Sequence, residues 1–183
     1  VFYQPQMVLI DPQLLKSLPQ REIYSATAEI IKTAAIYDYS FFNILSSIIT
    51  SYNETGHVSL FTEAIFESCK IKSGVVSQDE KESGIRMILN FGHTVGHALE
   101  TSLGHGNIRH GEAVAYGMLC AGFISYKYGT ACGLSQNLSE NNWQALQNLI
   151  HLLPLPKIEI PDSDHIIQII RHDKKNMGDI RNF

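Results

Sequence analysis

The stretch Leu89-Asn90-Phe91-Gly92-His93-Thr94-Val95-Gly96-His97-Ala98-Leu99-Glu100 predicts a helix with two histidines on one face. Residues four apart in a helix point the same way, so both imidazoles can enter a single site. An isolated pair with this spacing is equally consistent with a histidine that satisfies a buried hydrogen bond. Gly92 and Gly96 favour a site, because each glycine costs a helix interior up to about 1 kcal/mol relative to alanine. Two such glycines indicate that something approaches this backbone closely.

A third histidine opens the next segment. His110-Gly111-Glu112 follows 17 residues after His93 (110 − 93), beyond a loop that contains Gly104 and Gly106. From residue 111 to 128 small and apolar side chains occur on every face, which predicts a helix buried in the middle of a bundle. Histidine nitrogens with carboxylate oxygens suit Zn²⁺, and Fe²⁺ or Co²⁺ as alternatives. The spacing therefore predicts a metal site.

A charged pair lies in an otherwise apolar helix near the start of the chain. Ala28-Glu29-Ile30-Ile31-Lys32 places a carboxylate and an ammonium three residues apart. Such a pair is usually exposed and worth a few tenths of a kcal/mol. Here the flanking residues are nearly all apolar, and a buried charge needs a partner such as a metal ion. Glu29 is therefore the candidate third ligand.

The remaining segments predict a mostly α-helical bundle with one short strand. Met7-Val8-Leu9-Ile10, stopped by Asp11-Pro12, is typical of a buried strand. Helical spacing of apolar residues follows over 41–49, 60–69, 146–150 and 166–170. Gly129 is placed to end the central helix, while Ser139 and Asp162 are placed to cap the last two. Both ends of the chain read as cut, so we expect a fragment.

Composition limits the class of protein. The 183 residues fit one domain, and a net charge of −4 gives no sign of a nucleic-acid-binding surface. No apolar run approaches the roughly 20 residues of a membrane span. The three cysteines lack C-x-x-C spacing, which favours reduced, buried thiols in a cytoplasmic protein.

Two basic sets complete the candidate site residues. Lys70 and Lys72 precede the acidic run Asp79-Glu80-Lys81-Glu82, and Arg86 lies one turn before Asn90. Lys174 and Lys175 stand near the end of the chain. Runs of charge are more often solvated faces than sites. If these groups converge on the histidines, they suit a substrate that carries carboxylate or phosphate.

Five segments, in chain order, resemble the hallmark motifs of the 3-dehydroquinate synthase family: Ala28–Lys32, Asp79–Glu80 with Arg86, Leu89–Glu100, His110–Val114 and Asp173–Lys175. The stretch Lys32–Ile36 is also similar to the version found in fungal multifunctional shikimate-pathway polypeptides. The resemblance implies the helical C-terminal domain of the dehydroquinate synthase-like fold. Residues 1–18 would then be the tail end of the NAD-binding domain, and residues 19–183 the metal- and substrate-binding domain.

The resemblance also implies a role for each candidate residue. The Zn²⁺ ligands would be Glu29, His93 and His110, so His97 would transfer a proton at the substrate phosphate instead of binding metal. Glu82 would act in acid/base chemistry, and Lys32 would reach the substrate hydroxyls. The substrate carboxylate and neighbouring oxygens would be held by Lys72, Arg86, Asn90 and Lys174 or Lys175. The segment that touches NAD would be Leu14, Leu15, Lys16 and Ser17.

The implied reaction converts 3-deoxy-D-arabino-heptulosonate 7-phosphate, a small sugar phosphate, to 3-dehydroquinate and phosphate. NAD and a divalent metal would be the cofactors and the complete protein a homodimer. No glycine-rich dinucleotide turn occurs in this chain, so the chain alone is expected to be inactive. Alternatives are a related sugar-phosphate cyclase, a metal-dependent polyol or alcohol dehydrogenase, and a helical remnant without enzymatic activity.

Overall fold

Every regular element of the described chain is a helix. The computed structural model describes residues 6–82, 84–104 and 106–176, without the side chains of 173–176. Seven α-helices run in the described part, namely α1 Gln20–Tyr37, α2 Tyr39–Thr55, α3 Thr62–Gln78, α4 His93–Leu103, α5 His110–Tyr128, α6 Glu140–His151 and α7 Ser163–Asn176. Short 3₁₀ helices span Pro12–Ser17, Val58–Phe61, Ile85–Asn90 and Thr130–Cys132. The prediction of a mostly α-helical domain is confirmed.

Helix α5 is the centre of the bundle, as its all-round apolar sequence predicts. It packs against α1, α4 and α6, while α7 covers the outer face of α4. Its first half is buried almost completely; beyond it Phe123, Ile124 and Tyr128 are exposed. The main core joins fully buried side chains from several helices, among them Ile31, Leu45, Ile49, Phe61, Val114, Met118 and Ile150. Burial of these side chains, at roughly 25 cal/mol per Å² of apolar surface, is what holds the helices in place.

Glycines let α4 and α5 approach each other unusually closely. Gly92 precedes α4 with a φ of 78°, and a Cβ atom there would lie 2.8 Å from the Met118 and Val114 backbones. A Cβ on Gly117 would lie 1.9 Å from the Gly92 carbonyl oxygen. The close approach predicted from Gly92 and Gly96 is thus confirmed, and the group that approaches is the backbone of α5. This contact holds the histidines of α4 beside the start of α5.

Side-chain caps define several helix ends. The Ser139 hydroxyl accepts a hydrogen bond from the Asn142 N–H, and the Asp162 carboxylate accepts one from the His165 N–H, so both predicted caps are confirmed. Helix α5 ends at Gly129 as predicted. That residue has right-handed helical angles, however, and the chain continues directly into the 3₁₀ turn Thr130–Cys132.

Three predictions about local structure are wrong. Residues 7–10 form no strand and are exposed, because a strand needs a neighbour and the described residues contain no sheet with which they could pair. The cysteines are free but exposed. The helix predicted from Leu89 begins only at His93, because the left-handed Gly92 separates it from the 3₁₀ helix Ile85–Asn90.

Among the described residues, none of the helices combines the length and apolar character needed to cross a membrane.

Candidate metal and substrate site

Three imidazoles meet where α4 passes the start of α5. The ring centroids of His93 and His97, one turn apart on α4, are 5.3 Å apart. His110, the first residue of α5, lies 5.2 Å from His93 and 5.8 Å from His97. One nitrogen from each ring lies within 4.8 Å of the others. The histidine pair and the third histidine predicted from sequence therefore share one site.

Helix α1 brings a carboxylate to the same place. The Oε1 atom of Glu29 lies 3.8 Å from the Nε2 atoms of both His93 and His110. Its other oxygen, Oε2, accepts a hydrogen bond from the Lys32 ammonium at 2.8 Å. Lys32 is only 5 % exposed, and this carboxylate is the partner that its buried ammonium requires. The lysine fixes the direction in which Glu29 presents its second oxygen.

Glu29 Oε1 accepts no hydrogen bond from the described residues, although it is buried. A buried carboxylate oxygen without a donor is costly, and a bound cation removes that cost. Two ligand atoms that each lie about 2.0–2.2 Å from one Zn²⁺ ion can be at most about 4.4 Å apart from each other. The 3.8 Å separations of Glu29 from both histidines lie inside this limit. The donor set Glu29, His93 and His110 therefore fits a divalent metal.

The electrostatic setting of His93 favours the form that binds metal. Burial, together with the Lys32 ammonium, lowers the pKa of His93 below its ordinary value of 6.5. Its Nδ1 lies 3.3 Å from the Phe91 carbonyl oxygen and can donate to it, which leaves the Nε2 lone pair directed at Glu29. At neutral pH the neutral form of His93 is thus favoured, and its Nε2 is oriented toward Glu29.

A second cluster lies just before α4. The Glu82 carboxylate accepts a hydrogen bond from the Asn90 amide at 2.9 Å and lies 3.9 Å from the Arg86 guanidinium. Glu82 has a φ of 58°, an uncommon left-handed backbone for a residue other than glycine. Asp79 ties the loop together by accepting hydrogen bonds from the Gly84 and Arg86 N–H groups. Three predicted site residues, Glu82, Arg86 and Asn90, are thereby held side by side.

The other predicted residues are less closely placed. Lys72 is exposed on α3 and makes no hydrogen bond or ion pair with any residue that the structure describes. Lys174 and Lys175 lie in the last turn of α7, but their side chains fall outside the described part of the chain. The residues predicted to touch NAD, Leu14 to Ser17, form a 3₁₀ helix capped by Asp11. Leu15 and Lys16 line a cavity of about 660 Å³.

Two features of the site were not predicted from sequence. The Glu100 carboxylate lies 3.2 Å from Nδ1 of His110, a contact between helices that spacing along one helix cannot reveal. A cavity of about 460 Å³ opens beside His97 between α4 and α7, and its polar lining residues are Thr94, Thr101 and His172. His172 carries no signal in its own segment, because only the packing of α7 on α4 brings it there.

Comparison with known proteins identifies the family of this chain. Residues 26–176 match the family model described as 3-dehydroquinate synthase C-terminal. The chain belongs to the 3-dehydroquinate synthase family. It is 42 % identical over 183 residues to the 3-dehydroquinate synthase of Desulforamulus reducens, covering 96 % of this chain and 47 % of that protein. It is 44 % identical over 178 residues to that of Crocosphaera subtropica, covering 95 % of this chain and 47 % of that protein.

The 3-dehydroquinate synthase relatives are much longer than this chain, which spans about half of their length. A solved structure also shares the fold: 2-epi-5-epi-valiolone synthase from Streptomyces hygroscopicus subsp. jinggangensis, with NAD⁺ and Zn²⁺ bound. The TM-score is 0.78 at 22 % identity, over 93 % of this chain and 46 % of that one. This likeness establishes the fold, and the helical C-terminal domain implied by the sequence motifs is confirmed.

Proposed function

We propose that this chain is the metal- and substrate-binding half of a 3-dehydroquinate synthase. In the complete protein, an NAD-binding half would join it, with residues 1–18 as the connection and residues 19–183 as the helical domain. The complete protein would convert 3-deoxy-D-arabino-heptulosonate 7-phosphate to 3-dehydroquinate and phosphate. The observation that carries the proposal is the convergence of Glu29, His93 and His110. The cluster of Glu82, Arg86 and Asn90 lies in the segment that leads directly into α4, the helix that carries His93.

In this proposal Glu29, His93 and His110 hold a divalent metal, Zn²⁺ by preference and Co²⁺ or Fe²⁺ as alternatives. When bound, the metal supplies Lewis acidity toward a substrate hydroxyl, and NAD supplies reversible hydride acceptance. The chain contributes the direction of the ligands. Lys32 holds one oxygen of Glu29, so the other stays turned toward the histidines. The remaining N–H donors of Lys32 are then available to a substrate hydroxyl.

The second cluster supports recognition of a carboxylate. The guanidinium of Arg86 presents several N–H groups in one plane and can bind a carboxylate through two of them. Its Nη1 already donates to the Glu80 carbonyl oxygen at 2.7 Å, which fixes the side chain before substrate arrives. The Asn90 amide donates to the Glu82 carboxylate, which also faces the Arg86 guanidinium, so Glu82 links the two side chains. Because these groups are held in advance, little conformational entropy has to be lost when substrate binds.

Proton transfer is assigned to His97 and Glu82. His97 is exposed at the edge of the cavity between α4 and α7, where a substrate phosphate could reach it. Glu82 can accept a proton at the carboxylate that now accepts the Asn90 hydrogen bond. Lys72 and one of Lys174 and Lys175 would complete the cationic surroundings of a substrate with several negative charges.

Turnover by the complete protein tests this proposal. The assay supplies the heptulosonate phosphate with NAD⁺ and Zn²⁺ and measures dehydroquinate and phosphate. His93→Ala is expected to abolish both products, whereas the matched control His151→Ala, an exposed histidine at the end of α6, leaves them unchanged. Release of phosphate with a different carbocycle would identify a related cyclase instead. Oxidation of a simple polyol without phosphate release would identify a dehydrogenase on the same scaffold.

A further inference from the structure

We propose that Glu100 is a positioning residue that sets the orientation and tautomer of His110 at the metal site. This inference rests on the proposed function, because it concerns a ligand of the proposed metal centre. Oε2 of Glu100 lies 3.2 Å from Nδ1 of His110. Nε2, on the other side of the same ring, lies 3.8 Å from Oε1 of Glu29. With the Glu100 carboxylate at Nδ1 and the proposed metal site at Nε2, only the tautomer that carries its proton on Nδ1 can bind the metal through Nε2.

The hydrogen-bond chemistry fixes that tautomer. A neutral imidazole carries one N–H and one lone pair, so the nitrogen that donates decides which one can bind metal. The carboxylate of Glu100 can only accept, so Nδ1 of His110 must donate to it. The lone pair is then on Nε2, turned toward Glu29 and His93. A metal-binding histidine that donates to a carboxylate is also a stronger base toward the metal.

The position of Glu100 follows from its helix. His93, His97 and Glu100 occupy positions i, i+4 and i+7 of α4, which lie along one face. Two of these residues present imidazoles, and the third reaches across to the histidine of α5. Helix α4 thus supplies one proposed ligand and orients another. The same close α4–α5 contact that the glycines permit makes this reach possible.

His110 needs this support more than His93 does. The side chain of His93 is 16 % exposed and has the Phe91 carbonyl oxygen as its fixed backbone partner. His110 is 46 % exposed at the first position of α5, so packing restrains its ring much less. Among the residues that the structure describes, Glu100 and Glu29 are the carboxylates within 4 Å of this ring. Removal of Glu100 should therefore free the ring to rotate and to change tautomer.

A purely structural role for Glu100 makes different predictions. A carboxylate near the first turn of α5 stabilises that helix end by a few tenths of a kcal/mol up to about 1 kcal/mol. Such a role would change the stability of the protein without changing the tautomer of His110. It would change metal affinity only through unfolding. The two roles are therefore separated by measuring tautomer, metal affinity and stability on the same variants.

The test uses the complete protein with Glu100→Ala, Glu100→Gln and the control Glu63→Gln, an exposed carboxylate in the first turn of α3. Zn²⁺ dissociation constants come from competition with a chelator, and urea unfolding of the metal-free protein reports stability. The tautomer of His110 comes from the ¹⁵N NMR chemical shifts of its two ring nitrogens, which distinguish a protonated from an unprotonated nitrogen. Glutamine keeps a neutral acceptor, so it serves as the conservative variant.

We expect Glu100→Ala to weaken Zn²⁺ binding about 10- to 100-fold and to move His110 away from the Nδ1–H tautomer. Glu100→Gln should recover part of both effects, and Glu63→Gln should resemble the wild type. Wild-type affinity and tautomer in Glu100→Ala would overturn the positioning role while leaving the metal site intact. If the wild type binds no Zn²⁺, or if His93→Ala and His110→Ala bind it normally, the proposed function fails and the positioning role fails with it.

Discussion

The contact between α4 and α5 can be tested by adding one methyl group. Gly117→Ala places a Cβ atom 1.9 Å from the Gly92 carbonyl oxygen and 3.0 Å from the Gly96 nitrogen. Real Cβ atoms essentially never approach another heavy atom to under 3.0 Å. The two backbones must therefore separate by at least about 1.1 Å (3.0 − 1.9). Because the obstacle is backbone on both sides, rotation of a side chain cannot relieve it.

The free-energy cost is the difference between two opposing effects. Overpacking of this kind costs about 1–3 kcal/mol or more. Replacing a helical glycine by alanine returns up to about 1 kcal/mol through helix propensity. We expect a net loss of about 2 kcal/mol in the free energy of unfolding, which lowers the Tm by several degrees in a domain of this size. The separation also moves His93 relative to His110, and a site displaced by about 1 Å loses affinity.

The assay is urea unfolding followed by circular dichroism, with Zn²⁺ affinity measured on the same samples. Gly74→Ala is the matched control, because Gly74 lies in α3 and a Cβ there would meet nothing within 4 Å. That variant should be as stable as the wild type or up to about 1 kcal/mol more stable. Equal effects of the two substitutions would show that α4 and α5 are not held in backbone contact at Gly117.

Two further predictions concern charges. Burial of the Glu112 carboxyl acts to raise its pKa. The hydrogen bonds that it accepts from the Arg21 guanidinium and the Arg109 N–H act in the opposite direction, and together with the charges of these arginines they hold the pKa of Glu112 below 4.5. Because the pKa of Glu112 is lower in the folded than in the unfolded protein, its contribution to stability is present above pH 4.5 and is lost as the pH falls through the folded pKa. Glu112→Gln should therefore lower the free energy of unfolding in urea by about 1–3 kcal/mol at pH 7 and weaken the loss of stability at acid pH. An unchanged dependence of stability on acid pH would contradict this prediction. Lys72→Ala should raise KM for the heptulosonate phosphate in the complete protein. The control Lys70→Ala should leave KM unchanged, because the Lys70 ammonium pairs with Glu67 on the same helix. Equal KM values in the two variants would show that Lys72 does not bind the substrate.

Sequence spacing predicted the elements that depend on local patterns. The helix that carries His93 and His97 follows from residues four apart, and the buried helix after His110 follows from apolar residues on every face. The caps at Ser139 and Asp162 were predictable because a cap is set by one side chain and its neighbours. Glu29 is a candidate ligand because of its charge in an otherwise apolar helix, and the family resemblance pairs it with histidines more than sixty residues away. The 3.8 Å approach of Glu29 to His93 arises from the packing of both α1 and α4 on α5.

Features that depend on neighbours across the fold were missed or misread. Residues 7–10 have the composition of a buried strand, but that composition does not show whether a partner strand is present. The sequence pattern places Gly92 inside a helix, whereas its left-handed conformation marks the start of α4 against α5. The contact of Glu100 with His110 and the place of His172 beside His97 arise only from helix packing. The three cysteines also showed that residue type alone does not fix burial.

The most direct test of the central claim is the Zn²⁺ dissociation constant of His97→Ala, measured beside Glu29→Gln and His93→Ala in the complete protein. We expect His97→Ala to bind Zn²⁺ within a few-fold of the wild type, because Glu29, His93 and His110 are the proposed ligands from α1, α4 and α5. Glu29→Gln and His93→Ala should each lose most of the affinity. Strong loss in His97→Ala with normal binding in Glu29→Gln would contradict the account and identify a site made of three histidines.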